Sequence, residues 1–258
     1  MEDNKLYTTQ RRNEILKILK EQGSISVNQL AEQFQVSGTT IRLDLTALEK
    51  TGLVSRTHGG AMLSTLIERE PLIQERKNNE EKERIARKAV SFISEHDTIL
   101  IDTGTTMQAL AFALLASPIT HLTVYSNDLD VLRTLEEKEY FELHLLGGVI
   151  RNGFHYTAGN QVIAELSNYH FKKMFLATSA ISLKSGLTTA NPDLAVMKSA
   201  MMSASEQIIL LTDASKMHHV LFQRFADLDE VDTLITDSGL AEEDAAMLRE
   251  KAGELLIV

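Results

Sequence analysis

The sequence predicts an α/β chain in two parts: a small N-terminal head of three helices closed by a β-wing, and a larger body on a mostly parallel sheet. Three observations carry this. Up to Leu53 the apolar residues recur at helical spacing. Beyond Glu80, short apolar runs of strand length alternate with helical patterns. The charge divides along the same line. Residues 1–60 hold eight Lys and Arg against seven Asp and Glu, so the formal net charge of −10 leaves −11 to the remainder.

In the head, Ile15, Ile18 and Leu19, then Leu30, Ala31 and Phe34, then Ile41, Leu45 and Leu48 mark three helices. Gly23-Ser24 breaks the first, Ser26 is placed to cap the second, and Gln35-Val36-Ser37 forms a tight turn whose Ser37 caps the third. Leu53-Val54-Ser55-Arg56 reads as a short strand and Gly59-Gly60 as a turn. The head is therefore assigned to residues 1–60, a polar connection carrying Pro71 to 61–79, and the body to 80–258. Glu80-Glu81-Lys82-Glu83 opens a helix that buries Ile85, Ala86, Ala89, Val90 and Ile93, its acidic first turn favoured by the helix dipole.

Strands are expected at residues 98–101, 122–125, 143–146, 174–177, 208–211, 233–235 and 255–258, runs apolar enough to be buried on both faces. Most end in polar residues or glycine: Asp102-Thr103-Gly104, Ser126-Asn127-Asp128, Gly147-Gly148, Thr178-Ser179, Thr212-Asp213 and Thr236-Asp237. In a parallel sheet such endings gather along the carboxyl edge, where ligands bind.

Composition narrows the function. With 43% hydrophobic and 24% charged residues the chain is ordinary globular material, and no apolar stretch approaches the roughly 20 residues of a membrane span, so a cytoplasmic protein is expected. The absence of cysteine excludes disulfides, thiolate metal sites and cysteine nucleophiles. His218-His219 is adjacent rather than spaced i, i+4, so no metal site is assigned; no cofactor and no catalytic residue are assigned either. Met197, Met201 and Met202, at helical spacing, pack a core or a subunit interface.

The third helix sends Ile41, Leu45 and Leu48 inward, which leaves Thr39, Thr40, Arg42 and Leu43 on its other face. Hydroxyls there can bond phosphates or base edges, Arg can grip guanine, and an apolar chain can touch a thymine methyl. Together with Ser37, and with Arg56 and His58 on the wing, these form the candidate surface for double-stranded DNA of a winged helix-turn-helix. A near-neutral head can still bind DNA if its few cations lie on one face.

In the body, Asp102-Thr103-Gly104-Thr105-Thr106 stands between a strand and a helical run. It reads either as an anion-binding loop offering free N–H groups at a helix N-terminus or as a plain turn capped by Thr105 or Thr106. Lys198, on a helix after Asn191-Pro192-Asp193, and Lys216, in Asp213-Ala214-Ser215-Lys216, are either surface lysines or the cations of that site. Arg151 is a third candidate cation, and the glycines before it either bind or permit a tight turn.

These residues resemble the DeoR family of transcriptional regulators over nearly the whole chain. Val36-Ser37-Gly38-Thr39-Thr40-Ile41-Arg42-Leu43-Asp44-Leu45, Leu48-Glu49 and Arg56-Thr57-His58-Gly59-Gly60-Ala61 follow that family's head pattern, with Leu43 where a second arginine is common. In the body the matching segments are residues 102–106, Ser126-Asn127, residues 146–151, residues 186–189, Lys198 and residues 213–216, with Ser126 and Met217 as mild departures. The resemblance implies a repressor of a sugar-utilisation operon, released from its operator by a phosphorylated sugar or sugar alcohol. It places that effector against Asp102, Gly104, Thr105, Thr106, Asn127, Gly147, Arg151, Lys198, Asp213 and Lys216. A homo-oligomer, dimer or tetramer, formed by the body would set two heads on one operator. The body also resembles ribose-5-phosphate isomerase, which makes a sugar-phosphate isomerase the rival reading. Isomerisation needs a carboxylate base, and the corresponding stretch Thr178-Ser179-Ala180-Ile181-Ser182 holds no acid, so binding without turnover is expected.

Overall fold

The computed structural model describes residues 8–22, 24–50, 54–57, 60–63, 79–151 and 153–258. The chain falls into two compact units, Met1–Glu70 and Pro71–Val258.

The first unit runs α1 (Thr8–Gln22), β1 (Ser24–Ser26), α2 (Val27–Gln33), α3 (Gly38–Lys50), β2 (Val54–Thr57) and β3 (Gly60–Leu63). The helices form where apolar side chains fall three and four apart, and Ile15, Leu19, Leu30, Ile41 and Leu45 are completely buried in one core. Ser26 caps α2 as expected, in a reciprocal arrangement: Gln29 N donates to Ser26 Oγ at 3.2 Å while Ser26 N donates to Gln29 Oε1 at 3.0 Å. Ser37 caps α3 by accepting from Thr40 N at 3.1 Å.

One boundary differs from the sequence reading. The connection was assigned from Ala61, yet Gly60–Leu63 is a strand of the head, paired antiparallel with both β1 and β2. Ala61 is buried and fills the head's core. Gly60 is needed for the pairing, since a Cβ there would stand 2.3 Å from Ile25 O.

The second unit runs α4 (Asn79–Val90), β4 (Thr98–Ile101), α5 (Thr105–Leu115), β5 (Leu122–Ser126), α6 (Leu129–Leu135), β6 (Phe141–Leu145), β7 (Val149–Arg151), β8 (Tyr156–Ala158), α7 (Asn160–Leu166) and β9 (Phe171–Ala177). It continues with β10 (Ala180–Ser182), β11 (Gly186–Thr189), α8 (Pro192–Ser203), β12 (Ser205–Leu211), β13 (Gln223–Ala226), β14 (Thr233–Thr236), α9 (Glu242–Lys251) and β15 (Glu254–Ile257). Seven strands form a wholly parallel sheet in the order β15-β14-β12-β9-β4-β5-β6. These are the seven apolar runs of the sequence, with ends shifted by a few residues.

Both faces are covered, which is why the strands read as continuous apolar runs. On one face Ile99, Ile101, Phe175, Ile209 and Leu211 pack with Ile85 of α4 and Met107 of α5. On the other, Leu100, Met174, Leu176, Ile208 and Leu210 pack with Val162 of α7 and Met197 of α8. Neighbours along each strand thus alternate between two cores, and burial of each large side chain contributes about 1.5–3 kcal/mol. Two small antiparallel sheets, β7-β8 and β10-β11-β13, lie outside the main one. Among the described residues no helix is long and apolar enough to cross a membrane.

Strand order reverses between β4 and β9: β5 and β6 step outward from one, β12, β14 and β15 from the other. Such a reversal opens a crevice at the carboxyl ends of the two strands.

If Gly60 is held by backbone crowding, Gly60→Ala should destabilise the head by about 2 kcal/mol. Faster amide exchange across residues 24–63, with residues 98–101 unchanged, is the expected measurement; unchanged exchange in the head would count against it.

Candidate functional site

On α3, Ile41 and Leu45 point into the core while Thr39, Arg42 and Leu43 are exposed and Thr40 is half-exposed, as the spacing requires. Leu43 is 65% exposed, an apolar side chain standing among polar ones. The Ser37 and Thr40 hydroxyls share a hydrogen bond of 2.9 Å, so both help to form the helix start. Arg56 falls in β2, opposite Ala61, and His58 lies outside the described residues. Sequence reasoning missed Asp44. It is buried on α3, where Arg11 Nε donates to it at 2.6 Å and Arg12 Nε at 2.9 Å. The signal was present: a lone acid among inward-facing Ile41, Leu45 and Leu48, and two arginines upstream.

In the body, Asp102 ends β4 at the reversal point and is completely buried. Its Oδ2 accepts from Ala177 N, at the end of β9, at 3.0 Å, and from Lys198 Nζ of α8. Lys198 Nζ also donates to Ala177 O at 2.9 Å. Asn127, at the end of β5, donates through Nδ2 to Thr157 O at 3.1 Å and lies 3.5 Å from Met197 Sδ, one residue before Lys198. Asp102 and Asn127 therefore meet the same turn of α8. Asn191 and Pro192 start that helix, with Asp193 N donating to Asn191 Oδ1 at 2.9 Å.

Three buried oxygens here have no hydrogen-bond partner among the described residues: Asp102 Oδ1, Asn127 Oδ1 and Thr189 Oγ1. Thr189, at the end of β11 and two residues before the α8 cap, lies in the family segment 186–189 but not among the expected effector contacts. A buried polar atom without a partner costs about 1–3 kcal/mol, so each of these three can take a hydrogen bond from a ligand or a water.

The loop after Asp102 is held from below. Gly104 adopts φ 128°, ψ 170°, a backbone region closed to residues with a Cβ, and it precedes α5 without any side-chain cap. The N–H groups of the first turn, those of Thr105, Thr106 and Met107, precede any intrahelical acceptor and face the loop. Neither threonine caps the helix with its side chain.

Asp128, another residue missed from the sequence, fixes the arrangement. Its Oδ2 accepts from Thr103 Oγ1 at 2.7 Å and Gly104 N at 3.1 Å, and its Oδ1 from Asp130 N at 2.9 Å and Val131 N at 3.1 Å. Burial raises the Asp128 pKa above its ordinary value of 3.8, against the opposing pull of the Thr103 hydroxyl and the three amides.

Other expected contributors are placed differently. The Gly147 N–H, expected to face the effector, donates to Glu165 Oε2 at 3.0 Å. The constraint at this turn falls on Gly148, whose φ is 146° and whose Cβ would stand 2.7 Å from Ala158 O. Arg151 is exposed on β7, with its guanidinium 5.6 Å from the Phe154 ring centroid. Asp213 is buried and caps the short helical turn Ala214–Lys216, accepting from Ser215 N at 3.2 Å. Lys216 is half-buried at the end of that turn, after β12. A cavity of about 370 Å³ elsewhere, lined by Lys184, Gly186, Asp227 and Lys251, shares no residue with this cluster.

Asp102 and Asn127, each with a buried oxygen free of partners among the described residues, end the neighbouring strands β4 and β5 beside the uncapped N-terminus of α5, whose N–H groups favour an anion.

Comparison with known proteins gives two family matches: the DeoR-like helix-turn-helix domain over residues 11–65 and the DeoR C terminal sensor domain over residues 77–238. The transcriptional repressor GlcR of Bacillus subtilis is 34% identical over 254 residues, covering 98% of this chain and 97% of that protein. A lactose phosphotransferase system repressor of Streptococcus mutans is 34% identical over 233 residues, covering 88% and 91%. Among solved structures, ribose 5 phosphate isomerase A of Neisseria gonorrhoeae aligns with 55% of this chain and 54% of its own at 20% identity and a TM-score of 0.41.

Because the pKa of folded Asp128 is raised, its contribution to stability is present below pH 3.8 and is lost as the pH rises through the folded-state value. The unfolding free energy of the wild type relative to Asp128→Asn should therefore fall as the pH is raised from about 4 and then level off. Chemical denaturation across that range checks it; a difference that grows with pH would contradict it.

Proposed function

Because this chain belongs to the DeoR family through both its parts, we propose that it is a DNA-binding repressor of a sugar-utilisation operon, released from its operator by a phosphorylated sugar or sugar alcohol. The observation that carries the effector half is the set of three donorless buried oxygens beside the open N-terminus of α5. Sugar hydroxyls supply the missing donors to Asp102, Asn127 and Thr189. The phosphate sits at the first-turn amides of Thr105 and Thr106 that Gly104 exposes, with Lys216 as its cation. Lys198 holds Asp102 in place and contacts the ligand beside it. Gly147, Arg151 and Asp213 support the walls of this site rather than its floor, since each is engaged or exposed elsewhere.

The DNA half rests on α3, with Thr39, Thr40, Arg42 and Leu43 entering the major groove, Ser37 at its start, and Arg56 and His58 of the wing on the backbone. Two copies joined through the body, as a dimer or tetramer, engage two half-sites. Exposed Leu145, Val149 and Ile150 beside the edge strand β6 offer apolar surface for that assembly. Effector changes operator affinity because it binds the DNA-competent and DNA-released arrangements unequally. We place the protein in the cytoplasm, the compartment of its two ligands.

No reaction is assigned. Residues 178–182 carry no carboxylate, and Asp102 is held by Lys198 and Ala177. Incubation with pentose and hexose phosphates should leave each sugar unchanged, and interconversion would favour an isomerase.

The main test is fluorescence anisotropy on operator fragments selected from genomic DNA, titrated with a panel of sugar phosphates. At least one should release the wild type. Lys216→Ala should bind DNA as the wild type does and resist release; loss of DNA binding with effector binding intact would overturn this division of labour. Leu43→Ala should weaken the selected operator by about 1–3 kcal/mol and leave a random duplex unaffected, because an apolar side chain reads thymine methyls and not phosphate.

A further inference from the structure

We infer that Arg12 is a further DNA-contacting residue, a phosphate clamp on the rim of α3 held in place by the buried carboxylate of Asp44. The inference rests on the DNA-binding reading of the head. Asp44 is almost completely buried, and an ion in that position requires a partner. Arg11 is that partner: its Nε donates at 2.6 Å, and its side chain is 9% exposed. Arg12 also donates through Nε, at 2.9 Å, but its side chain is 36% exposed. One carboxylate against two guanidinium groups leaves a net positive charge, and it lies on the side that meets solvent. Among the described residues, Nε is the Arg12 atom that is engaged, so the terminal amino groups present their N–H bonds outward in an orientation Asp44 fixes.

Helix geometry sets where this charge lies. Residues i−4 and i+3 from Asp44 are Thr40 and Ala47, both half-exposed, so the Asp44 carboxylate and the guanidinium on it lie at the edge of the buried side nearest those two. Arg42, two residues before Asp44, is rotated from it by about 200° and stands on the opposite side of α3. A helix about 10–12 Å across fills a major groove about 12 Å wide, so its outer face meets base edges and its two rims meet the two sugar-phosphate strands. Arg42 and Arg12 thus bracket Thr39 and Leu43, one on each rim. This arrangement lets a head of net charge +1 bind a polyanion: its cations are few and placed.

The test uses the full chain and a random-sequence duplex, so that phosphate contacts alone are read. Arg12→Gln keeps a donor for Asp44 and removes the charge; Arg12→Lys keeps the charge. Anisotropy from about 50 to about 200 mM salt should give a log Kd against log salt dependence shallower by about 0.9 for Arg12→Gln and unchanged for Arg12→Lys. Thermal unfolding confirms that each variant is folded; should Arg12→Gln unfold, Arg12→Lys against Arg12→Met gives the same comparison. A slope equal to the wild type's in the charge-removing variant would overturn the clamp. Failure of the wild type to bind any duplex would instead overturn the DNA-binding reading itself.

Discussion

A carboxylate at the end of a central strand, with both faces of the sheet covered, has no water to turn to, and Asp102 is in that position. Its ion pair with Lys198 organises much of the body around it. One lysine bonds both the Asp102 carboxylate and the Ala177 carbonyl, so it spans β4 and β9 at the point where the strand order reverses and pins α8 across the crevice. Removing one partner of such a pair typically destabilises by about 3–5 kcal/mol, because the other charge is left buried and alone. The pair engages one carboxylate oxygen, and the other has no hydrogen-bond partner among the described residues.

The head solves a similar problem with the opposite outcome. Asp44 has two cations where one would answer its charge, so the surplus is positive and faces solvent. In the body the surplus is acceptor oxygen, and in the head it is guanidinium.

What could be read from the sequence was what depends on neighbours a few residues apart. Ile99, Leu100 and Ile101 announce a strand buried on both faces, and Ile41, Leu45 and Leu48 announce the orientation of α3. Asp102 and Lys198 stand out as candidates from strand ends and family pattern, but their pairing spans 96 residues and has no local signature. Asp128 escaped because its partners, Thr103 and Gly104, belong to another strand's loop. Gly147, expected either to contact the effector or to permit a tight turn, donates its amide to Glu165, 18 residues on, a pairing with no local signature. The short pairings of β7 with β8 and of β11 with β13 were likewise hidden, since strands of three or four residues carry too little alternation to be seen. Thr189 is informative only through a missing partner, a property no sequence displays.

Asp128 has one more consequence. Its two oxygens serve two different structures, one the loop that exposes the α5 amides, the other the first turn of α6. The ends of β4 and β5 are thereby welded through a single side chain, and β8 is stitched to the same place by Thr157 N donating to Asn127 O at 2.8 Å. A loop built this way has no independent slack. Displacing it without moving the first turn of α6 would break the bonds that Asp128 makes to both, so the two strand ends are coupled through one carboxylate.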